Sequence, residues 1–198
     1  MAPMRDSGIR LVGHRLILRE FVDTDENAVH AFASHPLATQ FMTWGPNSVE
    51  DTRAFLREAA AQADTPTRTS FDLAVVDNES RALIGSAALS ITSTEHRRGE
   101  IGYVLHPDVW SKGLATEAAR TLLQFGFTTL GLRRIAATCH PDNRASSRVL
   151  EKAGLVLEGR MRSHLWVRGA WRDSLLYAAI SDTAPAPGAE ESPVGNRD

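Results

Sequence analysis

The order of apolar and polar positions predicts a chain that begins with a strand and two helices. Alternation of apolar and polar residues predicts a first strand from about Arg15, and acidic residues from Asp23 predict the start of a helix. His35-Pro36 ends that helix, because the residue before a proline avoids helical backbone angles. Ser48 predicts the N-cap of a second helix, which runs to the residues before Pro66.

The middle of the chain predicts three antiparallel strands. The apolar stretches 70–77 and 81–91 are separated by Asn78-Glu79-Ser80, a short polar connection suited to a hairpin. A third stretch, 98–106, follows another polar loop and would extend the same sheet. No helical pattern separates these stretches, so each strand is predicted to lie beside the next.

The last third of the chain predicts a helix, a parallel strand, a second helix and a final hairpin. Apolar residues recur at helical spacing from Leu114 to Phe127, and the strand predicted at 133–140 lies parallel to 98–106, because a helix joins them. Asn143 and Gly154 bound a shorter helix. The segments 155–166 and 174–180 predict a hairpin around 168–170. The predicted fold class is therefore α/β (α+β), a single domain over residues 9–181 with a mixed, mostly antiparallel central sheet and flanking helices.

Composition narrows the kind of protein. With 198 residues, of which 42% are hydrophobic, the chain can bury the core of one domain, whereas residues 182–198 are rich in Pro, Ala, Gly and acid and are predicted to be a disordered tail. A net charge of -2 argues against broad electrostatic binding of nucleic acid. No apolar stretch approaches the length of a membrane helix or of a signal-peptide core. We therefore expect a cytoplasmic protein that does not enter a membrane.

Cysteine and histidine usage predicts neither a disulfide nor a metal site. Cys139 is the single cysteine, which rules out an intramolecular disulfide and a cysteine-based zinc cluster. His106 and His140 do not belong to a cluster with the spacing of metal ligands.

The stretch from Ile101 to Ala118 predicts a site for a ligand that carries phosphate. It reads as a strand, a turn marked by Pro107, a short loop with Gly113, and a helix. The first turn of a helix has unpaired backbone N–H groups and the positive end of the helix dipole. We therefore expect a pyrophosphate to be held by Ser111, Lys112, Gly113, Leu114, Ala115 and Thr116, mainly through backbone amides. The Walker pattern GxxxxGK[ST] and the dinucleotide pattern GxGxxG do not occur in this stretch.

Three segments, in this order, carry a resemblance to a known family. They are Glu100-Ile101-Gly102-Tyr103 followed by 107–118, then Asn143-Arg144-Ala145-Ser146 running into Leu150-Glu151-Lys152-Ala153-Gly154, and finally Trp171-Arg172-Asp173. The chain resembles the GNAT superfamily of acyl-CoA N-acyltransferases, especially the branch of ribosomal-protein alanine and serine N-terminal acetyltransferases. It departs from the usual loop of the family, which begins with Gln or Arg and has two glycines, at Trp110, Ser111 and Ala115.

The resemblance implies that acetyl-CoA is the donor and a primary amine the acceptor. It implies a splayed pair of parallel strands, at which the pantetheine arm binds the backbone of Tyr103, Val104 and Leu105. The diphosphate would bind the 111–116 amides, Asn143 would contact the cofactor arm, and Ser146 would meet the departing thiolate.

The acceptor is first predicted to be a protein or peptide N-terminal amine. A small-molecule amine, such as an antibiotic or a polyamine, is the alternative, and a non-catalytic acyl-CoA-binding module would carry the same loop. A homodimer and a monomer are both compatible with the sequence.

Direct attack by an amine needs a base, and Glu100 is the candidate. An α-amine has an ordinary pKa of about 8, so a carboxylate acting through water is sufficient. On a regular strand Glu100 shares a face with Gly102, whose missing side chain leaves room for a substrate. The structural alternative is an ion pair with Arg97 or Arg98 at the start of the strand. His140 is a minor alternative base.

The remaining chemistry has several candidate residues. Ser146 is the first candidate to protonate the thiolate. Tyr103 and Tyr177 are the alternatives, although tyrosines on strands more often serve in packing. Cys139 as a covalent nucleophile is a minor hypothesis, because a lone cysteine is more often a small buried apolar residue. The acceptor is expected to contact Glu100, Phe41, Trp44 and Trp166, although core packing is an ordinary role for such aromatic residues.

Overall fold

Eight strands form one sheet through the middle of the protein in the computed structural model, which describes residues 8–181. Along the chain they are β1 (Arg10–Val12), β2 (Leu16–Arg19), β3 (Ser70–Asp77), β4 (Leu83–Ser93), β5 (Arg98–Leu105), β6 (Arg134–Cys139), β7 (Val156–Val167) and β8 (Ala170–Ile180). The spatial order is β1-β2-β3-β4-β5-β6-β8-β7. The β5–β6 pair is parallel and the other pairs are antiparallel, which confirms the predicted fold class.

Helices cover both faces of this sheet. They are α1 (Glu26–Ala33), α2 (Pro36–Thr39), α3 (Val49–Ala63), α4 (Leu114–Gln124), which continues as a π-helical turn (Phe125–Thr129), and α5 (Arg144–Ala153). Residues of α4 and α5 pack in one apolar cluster with Ile101 and Leu105 of β5. Residues of α1 pack in a second cluster with Val104, on the opposite face. Strand β5 thus lies between the two layers of helices.

The helix ends follow from local sequence, as predicted. Ser48 caps α3: its hydroxyl accepts a hydrogen bond from the Asp51 N–H (3.1 Å), and the Asp51 carboxylate accepts one from the Ser48 N–H (2.9 Å). Asn143 caps α5 by accepting from the Ser146 N–H (3.0 Å). Gly154 ends α5 with φ of 104°, a left-handed conformation that favours glycine.

Two short elements were not predicted, and one strand is longer than its sequence pattern indicates. Strand β1 has three residues and α2 has four, too few to produce a recognisable period. Strand β8 begins at Ala170 rather than near Ser174, because it pairs with β7 as far as the turn, with Trp166 opposite Trp171. The predicted tail, 182–198, lies outside the described residues. Within 8–181, no helix is long and apolar enough to cross a membrane.

Alternation along β5 separates its side chains between the two faces of the sheet. Ile101, Tyr103 and Leu105 point toward α4 and α5 and join that core. Glu100 and Gly102 are exposed on the face covered by α1 and α3. One strand therefore presents different residues to each layer, and both sets belong to the predicted site.

Two glycines on neighbouring strands provide a matched test of this packing. A Cβ on Gly85 would overlap the backbone of Val104 and Leu105, whereas a Cβ on Gly102 would meet no atom within 4 Å. We expect Gly85→Ala to destabilise the fold by about 3 kcal/mol, the upper end of the range for overpacking, and Gly102→Ala to change stability by about 0.5 kcal/mol or less. Urea unfolding of both variants measures the difference. Equal midpoints would show that β4 and β5 are not packed this closely.

Candidate active site

Strands β5 and β6 part after three residue pairs. The parallel pairing joins Arg98–Glu100 to Arg134–Ala136 and goes no further. Strand β5 nevertheless remains paired with β4 as far as Leu105, and β6 remains paired with β8 as far as Cys139. The neighbours on either side thus hold two strands apart, and a gap opens between them.

Backbone groups of β5 face this gap. The N–H of His106 bonds to Ile84 on β4, and the carbonyl of Arg97 accepts from Arg133 on the β6 side. Since backbone groups alternate along a strand, those of Tyr103 and Leu105 point toward β6. The indole N–H of Trp110 donates a hydrogen bond to the Leu105 carbonyl (2.8 Å). The Tyr103 backbone and the Leu105 N–H can therefore pair with an extended ligand, as an added strand would.

The loop after β5 connects the strand that borders this gap to the N-terminus of α4. Ser111 and Gly113 have φ of 60° and 78°, so Ser111 holds a left-handed conformation in which glycine would be unstrained. No side chain caps α4, and its first helical bond runs from the Glu117 N–H to the Gly113 carbonyl (3.1 Å). The N–H groups of 114–116 therefore have no acceptor within the helix, an arrangement suited to an anion such as a diphosphate.

A contact distant in sequence holds this helix end in place. One oxygen of Glu117 accepts from the backbone N–H groups of Arg15 (2.6 Å) and Leu16 (3.2 Å), and the other oxygen binds the Arg15 guanidinium (3.0 Å). Arg15 also donates to the Lys112 carbonyl (2.8 Å). Partial burial by itself raises the pKa of Glu117, but these hydrogen bonds outweigh it and lower the pKa overall. Arg15 and Glu117 are 102 residues apart, so no local sequence pattern predicts this contact.

Two hydroxyl groups meet on the α5 side of the gap. The Tyr103 hydroxyl lies 3.0 Å from the Ser146 Oγ, and either can donate the hydrogen bond. Burial raises the pKa of Tyr103, and the hydrogen bond with Ser146 offsets this only in part. The phenol therefore keeps its proton at neutral pH. Asn143 lies in the same turn, where it caps α5.

Glu100 lies on the other face of β5, where the pairing with β6 ends. Its carboxylate accepts a hydrogen bond from the Thr138 hydroxyl on β6 at 3.4 Å, the outer limit for such a bond. Its side chain is exposed, on the same face as Gly102. The structure thus brings Glu100 and Gly102 to one side of the gap and the hydroxyl pair to the other.

A cavity of about 590 Å³ opens on the Glu100 and Gly102 side of the sheet. Its walls are α1, α3 and the loop before α3, and its floor is formed by Asp72, Ser86, Ala88 and Gly102. Asp51, Glu58 and Asp72 bring carboxylates to the lining, and no Lys, Arg or His is among the described residues that line it. Asp72 is not among the site residues predicted from the sequence, although an acid inside the apolar strand SFDLAVVD is a visible signal.

The predicted acceptor residues lie in different places. Trp44 lines the cavity. Phe41 packs against the His140 ring, with 5.1 Å between centroids, and exposed Trp166 packs against Trp171 at 5.4 Å. Glu100, Phe41 and Trp166 do not line this cavity, and their contact with an acceptor stays a prediction.

Arg168, in the turn between β7 and β8, fastens the cavity wall. Its guanidinium donates to four backbone carbonyls, those of Thr39 (3.3 Å) at the end of α2 and of Met42 (3.2 Å), Trp44 (3.1 Å) and Gly45 (2.8 Å) in the loop before α3. The fan of donors in a guanidinium suits such a set of acceptors. The C-terminal hairpin therefore positions a loop more than a hundred residues earlier in the chain.

Contacts of the alternative residues weigh against their proposed roles. The Nδ1 of His140 accepts from the Asp142 N–H (3.1 Å), which occupies the lone pair that a neutral ring would use as a base. Burial raises the pKa of the Cys139 thiol, which disfavours the thiolate needed for covalent transfer. Tyr177 is buried, and its hydroxyl donates to Glu151 (3.4 Å). Among residues 8–181, no three or more His, Cys, Asp or Glu are grouped to hold a metal ion.

Comparison with known proteins agrees with this geometry. A family model described as an acetyltransferase (GNAT) domain matches residues 15–156. The uncharacterized N-acetyltransferase YoaA of Bacillus subtilis is 31% identical over 167 residues, 84% of this chain and 93% of the relative. A GNAT-family acetyltransferase structure from Bacillus anthracis is 31% identical with a TM-score of 0.77, covering 87% of this chain and 98% of that one.

A more distant structure has the same fold. The ribosomal-protein-S5-alanine acetyltransferase from Vibrio fischeri has a TM-score of 0.77 at 23% identity and covers 90% of this chain and 100% of that one. With the family model, the relatives and the parted strands in agreement, the chain belongs to the GNAT family of acetyltransferases.

Proposed function

We propose that this enzyme transfers an acetyl group from acetyl-CoA to a primary amine by direct attack. The observation that carries the proposal is the gap between β5 and β6, which has hydroxyl groups on one face and an acidic cavity on the other. The unpaired backbone of β5 and the amides at the start of α4 suit a pantetheine arm and a diphosphate respectively. Acetyl-CoA, when bound, supplies the activated thioester.

Glu100 is the proposed base. It lies on the cavity face at the end of the β5–β6 pairing, and its solvent exposure allows a water to relay a proton to it from the amine. Its known contact, the Thr138 hydroxyl, is long and leaves the carboxylate free to accept a further hydrogen bond.

The opposite face is proposed to receive the departing thiolate. The Ser146 hydroxyl donates a hydrogen bond toward the sulfur. The Tyr103 hydroxyl, which keeps its proton because its pKa is raised, donates in turn to the Ser146 hydroxyl. The Tyr103 N–H, which points into the gap, is the proposed partner of the oxyanion.

The cavity favours a small-molecule amine over the protein N-terminus that led the sequence prediction. Its volume of about 590 Å³ lies within the usual range for small-molecule sites, and helices enclose it on one side. A protein or peptide N-terminus is the second candidate, supported by relatives named for ribosomal-protein acetylation. A spermidine N(1)-acetyltransferase of Escherichia coli, which matches 40% of this chain, is a relative named for a small amine.

A panel of acceptors tests this proposal. Purified enzyme with acetyl-CoA is offered small amines and N-terminal peptides, CoA release is followed, and products are identified by mass spectrometry. We expect kcat/KM to be higher for small amines than for peptides. Turnover with peptides alone would reject the small-molecule assignment, and acetyl-CoA binding without CoA release on any amine would reject the proposed reaction.

Glu100→Gln tests the base. We expect kcat/KM for the amine to fall by about 100-fold or more at pH 7, where the amine is mostly protonated, with little change in acetyl-CoA affinity. The loss should shrink as the pH rises toward the pKa of the amine, because less assistance is then needed. Glu95→Gln is the control, since Glu95 is an exposed acid in the β4–β5 loop. An unchanged rate at pH 7 would eliminate Glu100 as the base.

Ser146→Ala and Tyr103→Phe test the thiolate side. If the two hydroxyls act as one unit, each variant should lower kcat by about tenfold or more, and the double variant should lose little beyond either single one. Ser147→Ala, at the next position of α5, is the control and should retain its kcat. Losses that multiply in the double variant would show that the two hydroxyls act independently.

A further inference from the structure

The cavity floor contains a row of three residues on neighbouring strands. Gly102 of β5 lies opposite Ala88 of β4, and Ala88 lies opposite Asp72 of β3. Since adjacent strands are about 4.8 Å apart, the Asp72 backbone lies about 10 Å from that of Gly102. A glycine and an alanine present almost no side chain, so an open trough leads from the gap beside β5 to the Asp72 carboxylate.

The surroundings of Asp72 carry an excess of negative charge. Burial raises its pKa, and the like charges of Glu58 and Glu20 raise it further, while the Ser70 hydroxyl, at 3.1 Å, and nearby Arg68 lower it. Arg68 and Glu20 form an ion pair, with 2.7 Å between nitrogen and oxygen, so their charges largely offset each other and the charges of Asp72 and Glu58 are left in excess. A cation beside Asp72 would relieve this imbalance.

Two other carboxylates, those of Asp51 and Glu58, line the cavity. Asp51 is committed to the α3 cap, where it accepts hydrogen bonds from the Ser48 N–H (2.9 Å) and hydroxyl (2.8 Å). Glu58 lies on α3, close enough to Asp72 for their charges to interact. No described residue that lines the cavity is basic, and Arg68, the basic neighbour of Asp72 outside the lining, is paired with Glu20. Attraction for a bound cation is strengthened by the lower dielectric of a partly enclosed site.

We propose that Asp72, together with Glu58, binds a second cationic nitrogen of the acceptor, about 8–10 Å from the amine that is acetylated, a distance of two strand spacings. The acceptor is then a dication whose reacting amine lies at the Gly102 end of the trough. This inference rests on the proposed function, because it places the acetylated amine beside β5.

Diamines of different length, with matched monoamines, test the spacing. We expect kcat/KM for hexamethylenediamine to exceed that for hexylamine by about tenfold or more, the value of one charge-assisted hydrogen bond, and to exceed that for putrescine, which is too short. Asp72→Asn should reduce the ratio of diamine to monoamine kcat/KM by about tenfold. Peptide amides with lysine or norleucine at the second position are compared in the same way. A higher kcat/KM for the lysine peptide would show that a peptide can supply the second cation.

Controls separate this inference from the proposed function and from misfolding. Glu50→Gln removes one negative charge, as Asp72→Asn does, but Glu50 lies on α3 outside the cavity lining. This variant should keep the wild-type ratio of diamine to monoamine kcat/KM. Thermal melting reports folding, and calorimetry measures hexamethylenediamine binding without acetyl-CoA. Binding that weakens in Asp72→Asn supports the subsite even if no amine is acetylated, which would reject the proposed function alone. Equal use of diamine and monoamine, or unchanged binding in Asp72→Asn, overturns the subsite.

Discussion

The parting of β5 and β6 is the constraint on which the remainder of the site depends. Parallel strands normally satisfy each other's backbone groups, but here antiparallel neighbours hold the two strands on diverging courses after Glu100 and Ala136. The sheet thereby carries unpaired donors and acceptors in its interior without losing its continuity. The gap is therefore suited to a ligand with amide groups, which would restore the missing pairing.

Strand alternation then divides the chemistry between two faces. Tyr103 turns toward Ser146 on the α5 side, whereas Glu100 and Gly102 lie on the opposite face of the sheet, where Gly102 lines the cavity under α1 and α3. A shift of one residue in the register of β5 would exchange these sets and place the proposed base among the apolar residues of the core. The close approach of β4 at Gly85 limits such a shift, because the Val104 backbone leaves no room there for a side chain.

Contacts between distant parts of the chain give the site its rigidity. Glu117 ties the first turn of α4 to the β1–β2 connection, and Arg168 ties the last hairpin to the loop beside α3. Both use charged groups to satisfy several backbone groups at once, and charge-assisted hydrogen bonds are strong and specific in geometry. The N-terminus of α4 is therefore held by Arg15 and the cavity wall by Arg168, and each of these residues is distant in sequence from the part that it holds.

The sequence by itself determined the features that depend on near neighbours. These include the caps at Ser48 and Asn143, the loop to α4, most of the strands and the placing of Glu100 and Gly102 on one face, because they follow from backbone preferences and short periods. Tertiary structure decided the row from Gly102 to Asp72, since strand register is set by packing across the sheet. It also decided which partner each charged side chain found, because Arg15 and Glu117 are 102 residues apart and no local pattern links them.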